Sequence, residues 1–240
     1  GSFILGFTDL GSTLLIRQCY VDLLSIFDDR TLPNRNYIIT GNPGIGKSFF
    51  SAYAMWVARQ RGLWVVWKPA PTSEVGQLGA GMYLMAPDGS VSFTNNSTPA
   101  LRDPNVWFIV DAQEPFDTQA RTLLVTSPRR AIYKEYYKNG SVGKRFMPVW
   151  TLAEMQALYI HQYAARFLAK YEDKAFKTYQ HLYAMCGGIP RMAFEYAITN
   201  HDVEAEMKGA IERSDVARCI ASDGELDATE TKISHHLLHL

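Results

Sequence analysis

An α/β fold with a central parallel sheet, a hairpin insertion and a C-terminal helical lid is predicted by three features of this 240-residue sequence. Up to residue 150, short apolar runs rich in β-branched and aromatic residues alternate with amphipathic stretches. A glycine-rich octapeptide, Gly41-Asn42-Pro43-Gly44-Ile45-Gly46-Lys47-Ser48, joins one such run to one such stretch. From Thr151 onward the pattern is helical. The order strand, loop, helix, strand predicts parallel pairing with right-handed crossovers.

Residues 14–27 read as a helix, because Leu14, Leu15, Cys19, Leu23, Ile26 and Phe27 recur at helical spacing; a polar loop with Pro33 follows. Tyr37-Ile38-Ile39-Thr40 is a strand, the glycine loop follows, and an amphipathic helix over 49–61 is ended by Gly62. Leu63-Trp64-Val65-Val66-Trp67 is a buried strand. Met82-Tyr83-Leu84-Met85 and Val91-Ser92-Phe93 flank Ala86-Pro87-Asp88-Gly89-Ser90, a hairpin signal, and residues 95–104 form a polar loop. Strands follow over 106–110, ending in Asp111, and over 122–126, ending at Ser127-Pro128. A strand over 146–150 closes the α/β part.

Thr151-Leu152-Ala153-Glu154 is a capping box that opens a helix running to Lys170. A helix over 174–185 stops at Gly187-Gly188, Pro190 suits the first position of the next, and a last one covers 202–221. The expected organisation is a nucleotide-binding core over 1–150, a helical lid over 151–221 and a linker over 222–240 toward a further domain, with 232–240 its first strand. Gly1-Ser2 reads as a cloning remnant.

Composition narrows the class. A hydrophobic content of 47% suffices for a sizeable core, and no stretch approaches the length of a membrane span. Cys19, Cys186 and Cys219 are far apart and odd in number, which predicts a reducing, intracellular setting. Zero net charge argues against a globally basic nucleic-acid binder, but the charges are unevenly spread. Six bases face one acid between Arg129 and Arg145, whereas ten acids face three bases between Glu195 and Glu230. Three readings stay open: solvated helix faces, contact with nucleic acid, and head-to-tail packing of one copy on the next.

The octapeptide fits G-x-x-x-x-G-K-[ST], so the predicted fold is that of a P-loop NTPase. Backbone N–H groups from Gly41, Asn42, Pro43, Gly44, Ile45 and Gly46 onward wrap phosphates, except at Pro43, which has no N–H. Lys47 reaches the β- and γ-phosphates, Ser48 is a Mg²⁺ ligand, and Phe49 continues into the helix whose dipole faces the same charge. Asp111, ending an apolar strand beside that of the P-loop, is the second Mg²⁺ ligand; the alternative is an ordinary strand-end acid. Many P-loop ATPases place a glutamate directly after this aspartate, but here Ala112 follows. Glu114 is the nearest replacement for polarising water, against a plain surface acid, and slow turnover is expected.

Ser127 stands where a polar γ-phosphate sensor would, and Arg129 or Arg130 could act as an arginine finger. Gly187-Gly188-Ile189-Pro190-Arg191 reads either as a plain corner or as a lid that packs Pro190 near the base and aims Arg191 at the phosphates. His235-His236-x-x-His239 lacks an acid or cysteine partner at metal-site spacing and reads as solvated or packed histidines.

With these motifs in place, the chain resembles the NTPase domain of Crinkler effectors of oomycetes and fungi and the related retrotransposon hot spot proteins of trypanosomes. The matching text is Ile16-Arg17-Gln18-Cys19-Tyr20, residues 40–50 and 108–115, Thr126-Ser127-Pro128, Met147-Pro148-Val149-Trp150-Thr151-Leu152, and residues 187–191. The Gly-Gly-x-Pro element is more distantly similar to AAA+/STAND nucleotide switches. The resemblance implies an ATPase domain binding ATP (or GTP) with Mg²⁺, followed by a nuclease-like or kinase-like domain. In an effector it implies a preceding translocation module and action in the host nucleus or cytoplasm. DNA contact would come mainly through the missing C-terminal domain.

Three functions are compatible with the residues. The first is slow, Mg²⁺-dependent NTP hydrolysis coupled to an attached effector domain. The second is a non-hydrolysing switch that self-associates with nucleotide bound, and the third is a DNA-binding module using residues 129–145.

Overall fold

The computed structural model describes residues 4–6, 12–71, 81–128, 130–138, 140–199 and 202–213. The chain divides into two compact units, one holding residues up to Thr40 together with Lys47–Phe146, the other holding Gly41–Gly46 and residues from Met147 on.

The first unit is an α/β sheet domain. Its elements are α1 (Gln18–Asp28), β1 (Asn36–Thr40), α2 (Lys47–Gln60), β2 (Val65–Lys68), β3 (Met82–Met85), β4 (Val91–Thr94), β5 (Trp107–Asp111), β6 (Arg121–Val125), α3 (Arg130–Tyr137) and β7 (Val142–Phe146). They form one seven-stranded sheet in the order β4-β3-β2-β5-β6-β1-β7. From β2 to β7 every pairing is parallel, and the β3–β4 hairpin adds two antiparallel strands at one edge. β5 and β6 are buried along their whole length, as expected of parallel strands covered on both faces. The core joins Ile38, Val66, Phe108, Val110 and Leu124 to Tyr133 and Tyr136 of α3.

The second unit is helical. α4 (Leu152–Leu158) passes through a π-wound turn, Tyr159–Tyr163, into α5 (Ala164–Tyr171); α6 (Ala175–Cys186), a second π-wound turn (Arg191–Tyr196) and α7 (Val203–Arg213) follow. Its core is aromatic: Tyr159 stacks on Tyr179 and Tyr163 on Phe194, each with ring centres 4.7 Å apart. The capping box at Thr151 and Glu154 is present in full.

Several expectations need correction. The first helix begins at Gln18, four residues late, because Arg17 is extended (φ −81°, ψ 149°). Leu14 and Ile16 instead line an apolar cavity of about 500 Å³ with Tyr53, Trp56, Trp67 and Tyr83, so tertiary contact overrides their helical spacing. The last strand is Val142–Phe146, and 147–150 is not a strand. β7 is an edge strand, which tolerates Lys144 and Arg145, whereas the apolar run after it packs in the other unit. Helix α3 lies inside the basic run and buries Tyr133 and Tyr136. The polar loop after β4 holds a 3₁₀ turn, Pro99–Arg102, that buries Leu101. The 202–221 helix is described only as far as Arg213, and Arg129, the linker, the strand over 232–240 and the histidine tail lie outside the described residues.

Candidate nucleotide-binding site

In the sheet unit, β1 delivers the chain to the glycine loop and α2 begins at Lys47, immediately after it. Gly62, at φ +69°, ends the turn that follows α2. Asp111 closes β5 and is 5% exposed. It was expected on the strand next to β1, but β6 lies between: Asp111 pairs with Val125, and Val125 with Ile39.

Packing of α2 against the sheet brings Lys47 and Ser48 to Asp111. Burial pushes the Asp111 carboxyl above its ordinary value of 3.8, while a hydrogen bond from the Ser48 hydroxyl and the charge of Lys47 pull it down. A buried carboxylate, a hydroxyl and an ammonium group thus converge at one strand end. Among the described residues, no cluster of three or more His, Cys, Asp or Glu side chains is placed to hold a metal. The hydroxyl-plus-carboxylate pair is instead the donor set that P-loop proteins use for Mg²⁺.

After Asp111 the backbone turns sharply. Ala112 has φ +50°, a left-handed conformation uncommon outside glycine, and its N–H donates to the Val125 carbonyl at 2.8 Å. Gln113 Nε2 donates to the Pro69 carbonyl. Glu114 is exposed, and its backbone carbonyl accepts from Lys68 Nζ at 3.0 Å. The ammonium group of Lys68 is pulled below its ordinary value by partial burial, an effect opposed by the charge of Glu114.

At the end of β6, Thr126 donates its backbone N–H to Ile39 and Ser127 is half-buried. The hydroxyls of Thr126 and of Thr40, which ends β1, are buried and make no hydrogen bond among the described residues. Sequence reasoning picked Ser127 and passed over Thr126; the signal was available, since Thr126 is the polar residue on which the apolar strand ends. Phe49 is half-buried in the first turn of α2.

The glycine loop up to Gly46 belongs to the helical unit. Gly41, Gly44 and Gly46 have φ of +153°, +81° and +97°. At Gly44 a Cβ would meet Arg191 Cβ at 2.7 Å, so this position has neither the conformation nor the room for a side chain. Asn42 and Ile45 are buried, and Pro43 is half-buried. Pro190 is buried and precedes the π-wound turn opened by Arg191. The Arg191 backbone N–H points at the Gly44 carbonyl, 3.5 Å away. Its side chain is about half exposed, with Nε 3.9 Å from Glu195 Oε2. Two residues that were noted in sequence motifs but not placed at the site hold this arrangement: Trp150, whose indole N–H donates to the Ile45 carbonyl at 2.7 Å, and Gly188, whose carbonyl accepts from the Trp150 backbone N–H.

Within the basic run, Lys138, Lys144 and Arg145 have intramolecular partners. Lys144 Nζ lies over the rings of Tyr133, Tyr137 and Phe146, Arg145 lies over Tyr37, and Lys138 pairs with Glu135. No described helix is long and apolar enough to cross a membrane.

Fold and site together define the class: an α/β protein with a mostly parallel central sheet and a P-loop-type glycine loop between β1 and α2. The particular proteins it is similar to are effectors. It is 24% identical over 218 residues to Crinkler effector protein 15 of Phytophthora infestans, covering 85% of this chain and 32% of that protein. Crinkler effector protein 16 of the same organism matches at 24% over 217 residues, 85% of this chain and 31% of that protein. The chain therefore spans about a third of the length of these curated relatives. No protein-family model matches it. Among solved structures, the Thermotoga maritima RuvB Holliday junction branch migration motor is similar at a TM-score of 0.41 and 13% identity, covering 90% of this chain and 73% of that one.

Proposed function

We propose that this chain is the nucleotide-binding domain of a Crinkler-type effector, which binds ATP or GTP with Mg²⁺, hydrolyses it slowly and couples nucleotide state to an attached effector domain. The observation that carries the reading is the meeting of Lys47 and Ser48 with the buried Asp111, residues far apart in sequence. A chance match to the glycine motif predicts no such meeting. In this reading the loop amides and Lys47 hold the phosphates, while Ser48 and Asp111 hold Mg²⁺, which neutralises phosphate charge when bound. Arg191 and Ser127 contact the γ-phosphate, Pro190 packs near the base, and Glu114 orients water. The domain division at 150 and 221 and the action in a host nucleus or cytoplasm belong to the same proposal.

The test is calorimetry of Mg·ATP with wild type and Lys47→Ala. Lys47 is half-buried at the start of α2, so its truncation leaves the fold intact and removes most of the affinity. Equal binding by a folded variant would remove the P-loop assignment.

A second reading, a non-hydrolysing switch that self-associates with nucleotide bound, is favoured by one observation. Ala112 occupies the position after Asp111, and Glu114 is exposed with its backbone carbonyl tied to Lys68. A turnover rate separates the two: none above the buffer blank, with nucleotide bound, selects the switch.

A further inference from the structure

The helical unit contains a contact that the proposed function has not used. Trp150 is 6% exposed, its indole N–H donates to the Ile45 carbonyl at 2.7 Å, and its backbone N–H donates to the Gly188 carbonyl at 2.9 Å. The approach to Gly188 is close: a Cβ there would lie 1.9 Å from the Trp150 carbonyl oxygen and 2.6 Å from its nitrogen. No other residue type fits at 188 without moving this backbone. On the loop side, Gly41 has Met147 against it, with a would-be Cβ 2.7 Å from the Met147 carbonyl oxygen. The segment from Met147 to Trp150 therefore braces the loop at both Gly41 and Ile45.

Peptide geometry turns this brace into a statement about phosphate donors. A trans peptide is planar, and its C=O and N–H point in opposite directions. The Ile45 carbonyl and the Gly46 N–H belong to one peptide. Fixing that carbonyl on the indole therefore fixes the Gly46 N–H on the other side. Gly46, at φ +97°, adds no side chain to hold the plane by packing, and the indole hydrogen bond on the Ile45 carbonyl helps to set it.

We propose that Trp150 is a positioning residue of the phosphate loop: its indole N–H, held in place through Gly188, orients the Ile45–Gly46 peptide so that the Gly46 N–H faces bound phosphate. This rests on the nucleotide-binding reading above. Trp150 touches no reacting atom, and its effect falls on the phosphates rather than the base.

Trp150→Phe keeps the aromatic body and removes the donor. With the full chain, calorimetry is run with Mg·ATP and with Mg·inorganic triphosphate, which has no base. Both affinities fall by the same factor, about three- to tenfold, the range set by one neutral hydrogen bond. A variant that melts lower yet binds both ligands like wild type overturns the proposal, since Trp150 is then packing alone. A variant weakened for ATP but not for triphosphate also overturns it, because the indole would then act on the base.

Should the variant fail to fold, wild type carries the test. Side-chain N–H resonances of the five tryptophans are followed by NMR hydrogen exchange. The Trp150 signal is assigned by elimination, from Phe variants at Trp56, Trp64, Trp67 and Trp107. It exchanges far more slowly than those of exposed Trp56 and Trp64, and it shifts when Mg·triphosphate is added. Exchange as fast as theirs, or no shift on saturation, overturns the proposal. A wild type that binds neither ligand sinks the nucleotide reading and this one with it. A wild type that binds, with an unaffected Trp150→Phe, sinks only this one.

Discussion

Arg191 has its backbone against Gly44, and among the described residues its side chain carries a long, solvent-screened ion pair with Glu195. A guanidinium so placed can swing to a phosphate at little cost. Arg191→Ala should lower ATP affinity more than ADP affinity, because only ATP carries the γ-phosphate. The expected difference is about tenfold, at the lower end for a hydrogen bond to a charged group. Equal losses for the two nucleotides in a binding assay would make Arg191 a structural residue of the turn.

Asp111 shows the opposite balance, a carboxyl whose ionisation is opposed by burial. Its carboxyl is raised above 3.8 chiefly by burial. The folded state therefore holds that proton more tightly than the unfolded chain. The sign follows: stability is greatest below the unfolded value and is lost as pH climbs from 3.8 through the raised folded value. Burial opposes ionisation of the Asp111 carboxyl, and Ser48 and Lys47 ease it. Asp111→Asn should leave the ligand-free melting temperature equal or higher at neutral pH, with a flatter profile across that window, while weakening Mg²⁺-dependent nucleotide binding. A lower melting temperature together with unchanged Mg²⁺ dependence would contradict both halves.

At the scale of elements, the readable signals were those with a local cause. The Thr151–Glu154 box was legible because capping needs only residues three apart: the Thr151 hydroxyl accepts from the Glu154 N–H at 3.2 Å, and the Thr151 N–H donates to the Glu154 carboxylate at 2.8 Å. Thr151→Ala should destabilise the protein by about 1 kcal/mol, measured by urea unfolding, and an effect below the error of that measurement would show that the helix start is held otherwise. The β3–β4 hairpin was legible for the same reason, its turn residues lying together in sequence. β7 was misplaced because its cause is not local. β7 is a strand through its parallel register with β1, where Gly143 lies beside Tyr37 so closely that a Cβ would meet the ring at 2.6 Å. Nothing in Val142-Gly143-Lys144-Arg145-Phe146 signals that neighbour.

For the whole molecule, ligand linkage gives the broadest test. A nucleotide that binds only the folded chain adds stability, about 2.7 kcal/mol at a hundred times its Kd. Mg·ATP should therefore raise the melting temperature of wild type, and the same concentration should leave Lys47→Ala unmoved. An equal rise in both proteins would place binding away from the glycine loop.

The α/β class, the glycine loop with Lys47 and Ser48, the strand ending in Asp111 and the capped helix at Thr151 could all be read from the residues in order. Each of these is written in neighbouring residues, as periodicity, a fixed motif or a cap. Chain packing alone places β6 between the Asp111 strand and β1, puts Leu14 and Ile16 in the lining of a cavity rather than in a helix, and sets Trp150 and Gly188 to brace the loop at Ile45. These depend on which distant backbones meet, and on whether a Cβ or an indole N–H fits there. That is a property of packing in three dimensions, which residue spacing along the chain does not encode.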